Sequence, residues 1–223
     1  MESATELEAP RREAKRKELV DQIPGWYSPW VHLAFPTLVG LTLIGLAISQ
    51  LREPTWLQLL FLPAILIVSN ATEWRLHRDI LHKRTRPFEL IFDRHTPEHH
   101  AVYVCDDMAI RSTKEFRLVL IPAYGILTVF FGTSPITLAL YCLGQWNLAC
   151  LFVVATMSYV VSYEWFHLSY HMPPDSFVGR RWLVRVLRRH HATHHRPELM
   201  QKWNFNVTLP LWDLVRGTIY RGA

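Results

Sequence analysis

The chain has 223 residues, half of them apolar, a net charge of +5 and three cysteines. This length suits one domain with a sizeable core. The basic residues lie mostly near the chain ends and beside histidines, without a nucleic-acid-binding motif, so we expect no nucleic-acid partner. The cysteines form no CxxC pair, which argues against a disulfide framework and against a thiolate metal site.

Residues 1–28 form a polar N-terminal segment that we expect to be a flexible or surface-helical tail. The segment begins with charged residues, so no cleavable signal peptide is visible. Its basic residues leave a second interpretation open, a patch for lipid head groups. Trp26, Tyr27 and Trp30 follow, and such aromatic residues are typical anchors at the bilayer interface.

Three long stretches of the chain contain no Asp, Glu, Lys or Arg, namely 22–51, 54–72 and 118–163. A helix needs about 20 apolar residues to cross a bilayer. The pattern therefore predicts an all-α integral membrane protein with about four transmembrane helices.

The first two predicted helices cover 32–51 and 55–72, and the third uncharged stretch is long enough for two more. Within it, 132–135 reads Gly-Thr-Ser-Pro, which indicates a turn between those two helices. A second break at 144–147 indicates that the last helix begins near Leu148 and runs on into the histidines beyond it.

Eleven of the 12 histidines lie in two stretches, 77–100 and 167–195. Side chains three or four positions apart share one face of an α-helix, and this spacing recurs in both stretches. His77 and His82 are five positions apart, which requires a π-bulge or a helix end for them to converge. Neutral imidazole binds iron, zinc and copper, so the pattern predicts a metal site. The ten candidate ligands are His77, His82, His95, His99, His100, His167, His171, His191, His194 and His195. His32 stands apart, and we interpret it as an interface residue with satisfied hydrogen bonds.

Charge predicts the orientation of the membrane helices. With four spans, both termini and both histidine stretches lie on one side, and that side holds nearly all the lysines and arginines. The positive-inside rule assigns this side to the cytoplasm. We therefore predict cytoplasmic N- and C-termini and a cytoplasmic helical cap that carries the metal site.

The histidine segments read EWRLHRDILH, HTPEHH, HLSYH and HHATHH, and WDLVRGT follows them near the C-terminus. In this order they resemble the histidine boxes and the WDxxxGT segment of the fatty acid hydroxylase / sterol desaturase superfamily. The similarity runs over about 73–218, within a domain that we place at 29–223. Within the superfamily, the fatty acid 2-hydroxylase branch is most similar.

The resemblance implies a membrane oxygenase that uses O2 to hydroxylate a fatty acyl or sterol-like lipid. It implies two metal ions held by the ten histidines, iron in the working enzyme, with zinc as a substitute in purified samples. Other side chains orient ligating imidazoles through their second nitrogen, and Asp107 and Asp213 are our candidates for such catalytic support. Further candidates are Glu73, Asp106, Glu164 and Asn204.

Electrons are expected from a separate cytochrome b5-like or ferredoxin-like protein, because the N-terminal segment carries no haem motif. Arginines before the last histidine cluster could receive such a carrier, or could instead only contact lipid head groups: Arg180, Arg181, Arg185, Arg188 and Arg189. Two other functions stay open, a lipid desaturase of the same superfamily and a catalytically silent metal-binding scaffold. A metal transporter would need ligands within the spans, and those contain almost none.

Overall fold

A computed structural model describes residues 4–222, which are helical with connecting loops and without an extended strand in that range. Residues 1–3, at the start of the predicted N-terminal segment, and residue 223, at the end of the predicted domain 29–223, lie outside the described range. The helices in chain order are α1 (Ala4–Asp21), α2 (Pro29–Ser49), α3 (Trp56–Leu59), α4 (Phe61–Leu76), α5 (Glu89–Arg94), α6 (His100–Val102), α7 (Phe116–Val119), α8 (Gly125–Cys142), α9 (Trp146–His171), α10 (Trp182–His194) and α11 (Leu211–Arg216).

Four helical stretches within residues 4–222 are long and apolar enough to cross a membrane: Pro29–Ser49, Trp56–Leu81, Gly125–Cys142 and Trp146–His171. Their large apolar side chains are widely exposed, as Phe131 and Leu138 on α8 show. Proteins that fold in water rarely leave contiguous apolar surfaces of this kind uncovered. The predicted all-α membrane architecture is confirmed.

Helix α9 is the central span, because α2, α4 and α8 all pack against it. At Gly40 of α2 an added Cβ atom would come within 2.4 Å of Val161 on α9 and within 2.9 Å of Ile126 on α8. Small residues allow membrane helices to approach closely. Among the glycines that the structure describes, Gly40 comes closest to neighbouring membrane spans.

The turn predicted at 132–135 is wrong, because these residues lie inside α8. Pro135 has no N–H to donate to the carbonyl four residues earlier, that of Phe131. The Ser134 hydroxyl donates to this carbonyl instead, at 2.7 Å. In a membrane, such local replacement lets a helix continue through proline. The two spans separate at the second predicted break, where Gly144 has a φ of +72°.

A helical cap on one end of the bundle contains α1, α5, α6, α7, α10 and α11. Helix α1 is anchored there, because Arg16 is buried and its guanidinium binds the buried carboxylate of Glu115. Tyr103 donates to the same carboxylate at 3.0 Å. Its ring belongs to an apolar core that includes Leu19 of α1 and Leu168 of α9. Most of the predicted tail is thus a helix held against the cap.

Candidate metal centre

Two π-helical segments position five of the candidate ligands. The first, His77–Leu81, continues α4, and the N–H of His82 donates to the carbonyl of His77 at 3.2 Å. This i to i+5 bond brings the two imidazoles into a stack, with their centroids 5.0 Å apart. The second segment, His95–His99, continues α5 in the same way and brings His95 and His100 together. The convergence that the five-residue spacing required is present.

The remaining five ligands come from the two long helices that meet at the cap. His167 and His171 lie in the last turns of α9, one helical turn apart. The last cluster lies at the end of α10, whose apolar face packs Val184 and Leu187 against Tyr170 of α9. Because α10 contacts α9, its C-terminal histidines face those of α9.

The ten histidines form two groups. The first group contains His77, His82, His95, His100 and His194, and its ligand atoms lie within 4.8 Å of one another. The second contains His99, His167, His171 and His191 at the same spacing. His195 joins the second group, since its Nε2 lies 3.0 Å from that of His191 and 3.2 Å from that of His99. Each group can surround one metal ion.

The distances between ring nitrogens match those of a metal coordination shell. Two ligands bound at about 2.1 Å lie roughly 3.0 Å apart at a right angle and roughly 3.4 Å apart at a tetrahedral angle. In the first group, Nε2 of His95 lies 2.9 Å from that of His77 and 3.1 Å from that of His100. In the second group, the Nε2 atoms of His171 and His191 are 3.4 Å apart.

Backbone carbonyls fix the orientation of five imidazoles. The Nδ1 atoms of His99 and His195 lie 2.9 Å and 2.7 Å from the carbonyls of Leu118 and Tyr103. A carbonyl accepts only, so each Nδ1 must carry the proton and each Nε2 must present a lone pair. These two Nε2 atoms face each other at 3.2 Å and cannot hydrogen-bond. A cation between them satisfies both. Backbone carbonyls also accept from the Nδ1 atoms of three other histidines: Phe205 from His77, Met108 from His171 and Trp203 from His194.

Burial keeps the cap histidines neutral. Burial lowers the pKa of His99 to about 3, and it lowers the pKa of His95, His100, His191 and His195 well below the usual value. Neighbouring histidines lower these pKa values further in each of the latter four. Neutral imidazole is the form that binds metals. Within the described residues, both nitrogens of His167 are also buried without a hydrogen-bond partner, which fits a metal ligand.

Comparison with known proteins agrees with this geometry. The model of the family described as fatty acid hydroxylase matches residues 62–218, which is more than half of the chain. The chain belongs to the fatty acid hydroxylase family. The family description is that of a lipid-modifying oxygenase. The histidine groups and the apolar helices of this chain are consistent with a metal-binding membrane hydroxylase of that kind.

A solved structure described as full-length Scs7p, with only its hydroxylase domain visible, has a similar fold. The two chains share 22% sequence identity at a TM-score of 0.55, and the alignment covers 86% of this chain and 67% of that one. No curated protein matches the chain.

Asp213 lies beside the centre without touching a ligand imidazole. Its buried carboxylate accepts hydrogen bonds from the backbone N–H groups of Phe205 and Asn206, and from His190 Nε2 at 3.0 Å. Burial alone would raise the pKa of Asp213, but these bonds and one from Thr218 hold it below its usual value. Asp213 is therefore linked to His77 through Phe205, whose carbonyl accepts from the His77 imidazole.

Asp107 lies further from the ligands. Its carboxylate binds Arg111 at 2.9 Å and Arg16 at 3.4 Å, and it has no hydrogen bond to an imidazole in the described range. It closes a tight turn with Val104 and directly precedes Met108, whose carbonyl orients His171. Any effect of Asp107 on the centre passes through this turn.

Within residues 4–222, none of the other expected supporting residues hydrogen-bonds a candidate ligand imidazole. Glu73 binds the N–H groups of Val207 and Thr208 and so ties the C-terminal loop to α4. Asn204 donates to the carbonyl of His190 at 3.0 Å. The side chain that does reach a ligand is Thr96, whose hydroxyl lies 3.3 Å from His82 Nδ1. No pattern in the sequence distinguishes Thr96 from other threonines.

A small cavity reaches the second histidine group. Its volume is about 40 Å³, space for a few water-sized groups. Three of the clustered histidines, His95, His99 and His167, line it. The rest of the wall is mainly apolar: Leu81, Ile91, Leu118, Val119, Leu120, Ile121, Pro122 and Tyr163, with Arg94 and Arg117 at the polar part. At this volume the cavity holds about one or two carbon atoms of a chain, which would lie directly beside His99 and His167.

Proposed function

We propose that this chain is an O2-dependent lipid hydroxylase with two iron ions, one in each five-histidine group. The observation that carries the proposal is the pair of buried histidine groups with coordination-shell spacing, in a member of the fatty acid hydroxylase family. The Scs7p hydroxylase domain, which has a similar fold, supports the same reaction class. The proposed substrate is a fatty acyl or sterol-like lipid.

Iron, when bound, would supply the redox chemistry needed to activate O2 toward a C–H bond. The protein residues hold the metal ions and orient the substrate. Ten imidazoles bind, and backbone carbonyls fix the tautomers of five of them, so these five ligands need little reorganisation. The apolar cavity wall beside His99 and His167 excludes water and holds the carbon to be oxidised.

Asp213 and Asp107 act in this proposal as positioning residues. Asp213 holds Phe205 and His190, and Asp107 holds the turn before Met108. Each lies one residue in sequence, or one hydrogen bond, from a group that orients a ligand. Loss of either carboxylate is expected to misplace an imidazole and not to remove one.

We further propose that the histidine cap faces the cytoplasm, as the distribution of lysine and arginine predicts. A separate carrier, a cytochrome b5-like or ferredoxin-like protein, then delivers electrons on that face. Four of the candidate docking arginines, Arg180, Arg181, Arg185 and Arg189, are exposed, which supports this role. Arg188 is half-buried and donates to the carbonyl of Met172 at 3.0 Å.

The proposal is tested with iron-loaded protein, a chemical reductant, O2 and a mixture of lipids. The expected result is two irons per chain and a product heavier by one oxygen atom. When labelled O2 is used, that added oxygen atom should carry the isotope. His167→Ala is expected to lose the product. A product lighter by two hydrogens would establish a desaturase, and two irons without any lipid product would establish the silent scaffold.

A further inference from the structure

Two arginines border the cavity beside the second histidine group. Arg94 ends α5 and Arg117 lies in α7, and both line the cavity together with apolar residues. Both side chains are half-buried. A partly buried cation beside an apolar wall is costly unless an anion or several acceptors accompany it. The partners of these two side chains therefore indicate what the cavity mouth binds.

Neither guanidinium has an acidic partner within the described part of the chain. The Nη2 atom of Arg94 donates to the carbonyl of Arg117 at 3.0 Å, and the Arg117 guanidinium donates to no residue among 4–222. Arg84 of the same cap differs, since it binds Asp93 through two hydrogen bonds of 3.0 Å. Burial lowers the pKa of Arg117, but a guanidinium remains charged in proteins. The cavity lining thus includes two cations with unused donors.

The position of Arg117 relates the mouth to the membrane surface. It follows Phe116, whose ring packs against Trp30 near the start of α2 at 5.6 Å between centroids. It also lies within electrostatic reach of Tyr27 and Tyr124, which precede α2 and α8. Aromatic residues at helix ends are typical of the head-group level of a bilayer. A lipid head group beside Arg117 would therefore lie at its ordinary depth.

Both arginines are also adjacent in sequence to the metal centre. Arg94 directly precedes His95, and Leu118, which follows Arg117, accepts the hydrogen bond from His99 Nδ1. The head-group end and the reacting end of the cavity are thus parts of the same short segments. An anchor at the arginines would fix which carbon of a bound lipid reaches the metals.

We propose that Arg94 and Arg117 bind the anionic head group of the lipid substrate, a carboxylate or a phosphate, while its tail enters along the apolar wall. The planar donor fork of arginine suits both anions. This inference rests on the proposed lipid hydroxylase function and narrows its substrate class to anionic amphiphiles. Uncharged lipids of the same chain length are then poor ligands.

The test measures binding, not turnover, with iron-loaded protein in an uncharged detergent. Palmitate, hexadecyl phosphate and hexadecanol are compared as competitors of a spin-labelled fatty acid. Wild type is expected to bind one or both anions at least about tenfold more tightly than the alcohol, since hydrogen bonds between charged groups are strong. The anion that binds better identifies the carboxylate or the phosphate as the head group. The preference is expected to decrease as salt rises.

Variants separate recognition from folding. The double variant Arg94→Gln with Arg117→Gln is expected to bind all three competitors within about twofold of one another. Arg84→Gln, an exposed arginine away from the cavity lining, is the matched control and should keep the preference. If the double variant loses its iron, Arg94→Lys with Arg117→Lys keeps the charge, and a retained preference supports the proposal.

Equal binding of the three competitors to wild type would overturn the inference, even if lipid is hydroxylated. Equal loss of all three in the glutamine variant, with iron retained, would also overturn it, because the arginines would then only support the fold. Absence of hydroxylated product with intact anion preference would contradict the proposed function alone. The two proposals therefore fail on different measurements.

Discussion

The carboxylate of Asp213 accepts the backbone N–H of Phe205 at 3.0 Å, and the carbonyl of Phe205 accepts Nδ1 of His77. A side chain of the C-terminal helix α11 thus orients a ligand that leaves the membrane on α4. The C-terminal segment is part of the metal centre for this reason, although it contributes no histidine.

Asp213→Asn is expected to lower iron affinity or turnover about 10- to 100-fold, the usual effect of removing a group that orients ligands. The asparagine oxygen can replace one carboxylate oxygen, but its NH2 group would face an N–H donor of Phe205 or Asn206. Iron content and turnover are measured on the same preparation. Thr193→Val is the control, because its hydroxyl bonds only within α10. Unchanged iron content and turnover in Asp213→Asn would contradict the positioning role.

His167→Ala and His191→Ala are each expected to abolish turnover, while His32→Ala retains it. His32 is satisfied by Tyr27 and by the carbonyl of Ile121, both at 2.8 Å, and lies outside both histidine groups. The comparison tests whether turnover is lost only when the removed histidine belongs to one of the two histidine groups, or on removal of any histidine. Similar turnover in all three variants would refute the assignment.

Removal of the metals is expected to lower the thermal stability of the cap more than that of the spans. Without a cation, lone pairs of buried imidazoles face one another, as between His99 and His195. A ligand at 100 times its Kd adds about 2.7 kcal/mol of stability. Hydrogen exchange with and without a chelator should show faster exchange around residues 77–100 and 182–195. Exchange rates that are the same with and without the chelator would show that the fold does not depend on the metals.

Gly40→Leu is expected to destabilise the bundle by about 1–3 kcal/mol, the range for overpacking a close contact. Even its Cβ atom would overlap Val161 and Ile126. Gly45→Leu is the matched control on the same helix, since an added Cβ there meets no atom within 4 Å. The measurement is the midpoint of thermal unfolding in detergent, and equal midpoints would show that α2 can move away without cost.

Charge reversal at Arg181 and Arg185 is expected to slow turnover driven by a protein electron carrier and to weaken its dependence on salt. Turnover with a small chemical reductant should be unaffected, and Arg11→Glu with Lys17→Glu on α1 controls for the same change in net charge. Exposed apolar residues on the same helix, Trp182 and Val186, also suit contact with the membrane surface. A fall in both rates would assign the arginines to the membrane or the fold.

The convergence of the clustered histidines was predictable because imidazole chemistry is specific and helical spacing is regular. The five-residue separation of His77 and His82 even required the π-helical segment that the structure contains. The groups that orient these ligands were not predictable. They are mostly backbone carbonyls, such as those of Leu118 and Met108, and every residue has a carbonyl. Only the fold determines which carbonyl meets which ring.

One local error and one open alternative have related causes. Gly-Thr-Ser-Pro is a turn sequence in water, but at Pro135 the Ser134 hydroxyl restores the missing hydrogen bond inside a helix. For the charged N-terminal segment, a flexible tail and a surface helix were both open, and the structure has the helix, held where Arg16 pairs with Glu115 nearly 100 positions later. Long-range pairs of this kind leave no signal in a single sequence.

The most direct test of the central claim is anomalous X-ray scattering at the iron edge from crystals of the iron-loaded protein. The account predicts two peaks, one bounded by His77, His82, His95, His100 and His194 and the other by His99, His167, His171, His191 and His195. Each peak should lie about 2.1 Å from its ligand nitrogens. A single peak, or iron outside these two groups, would contradict the account.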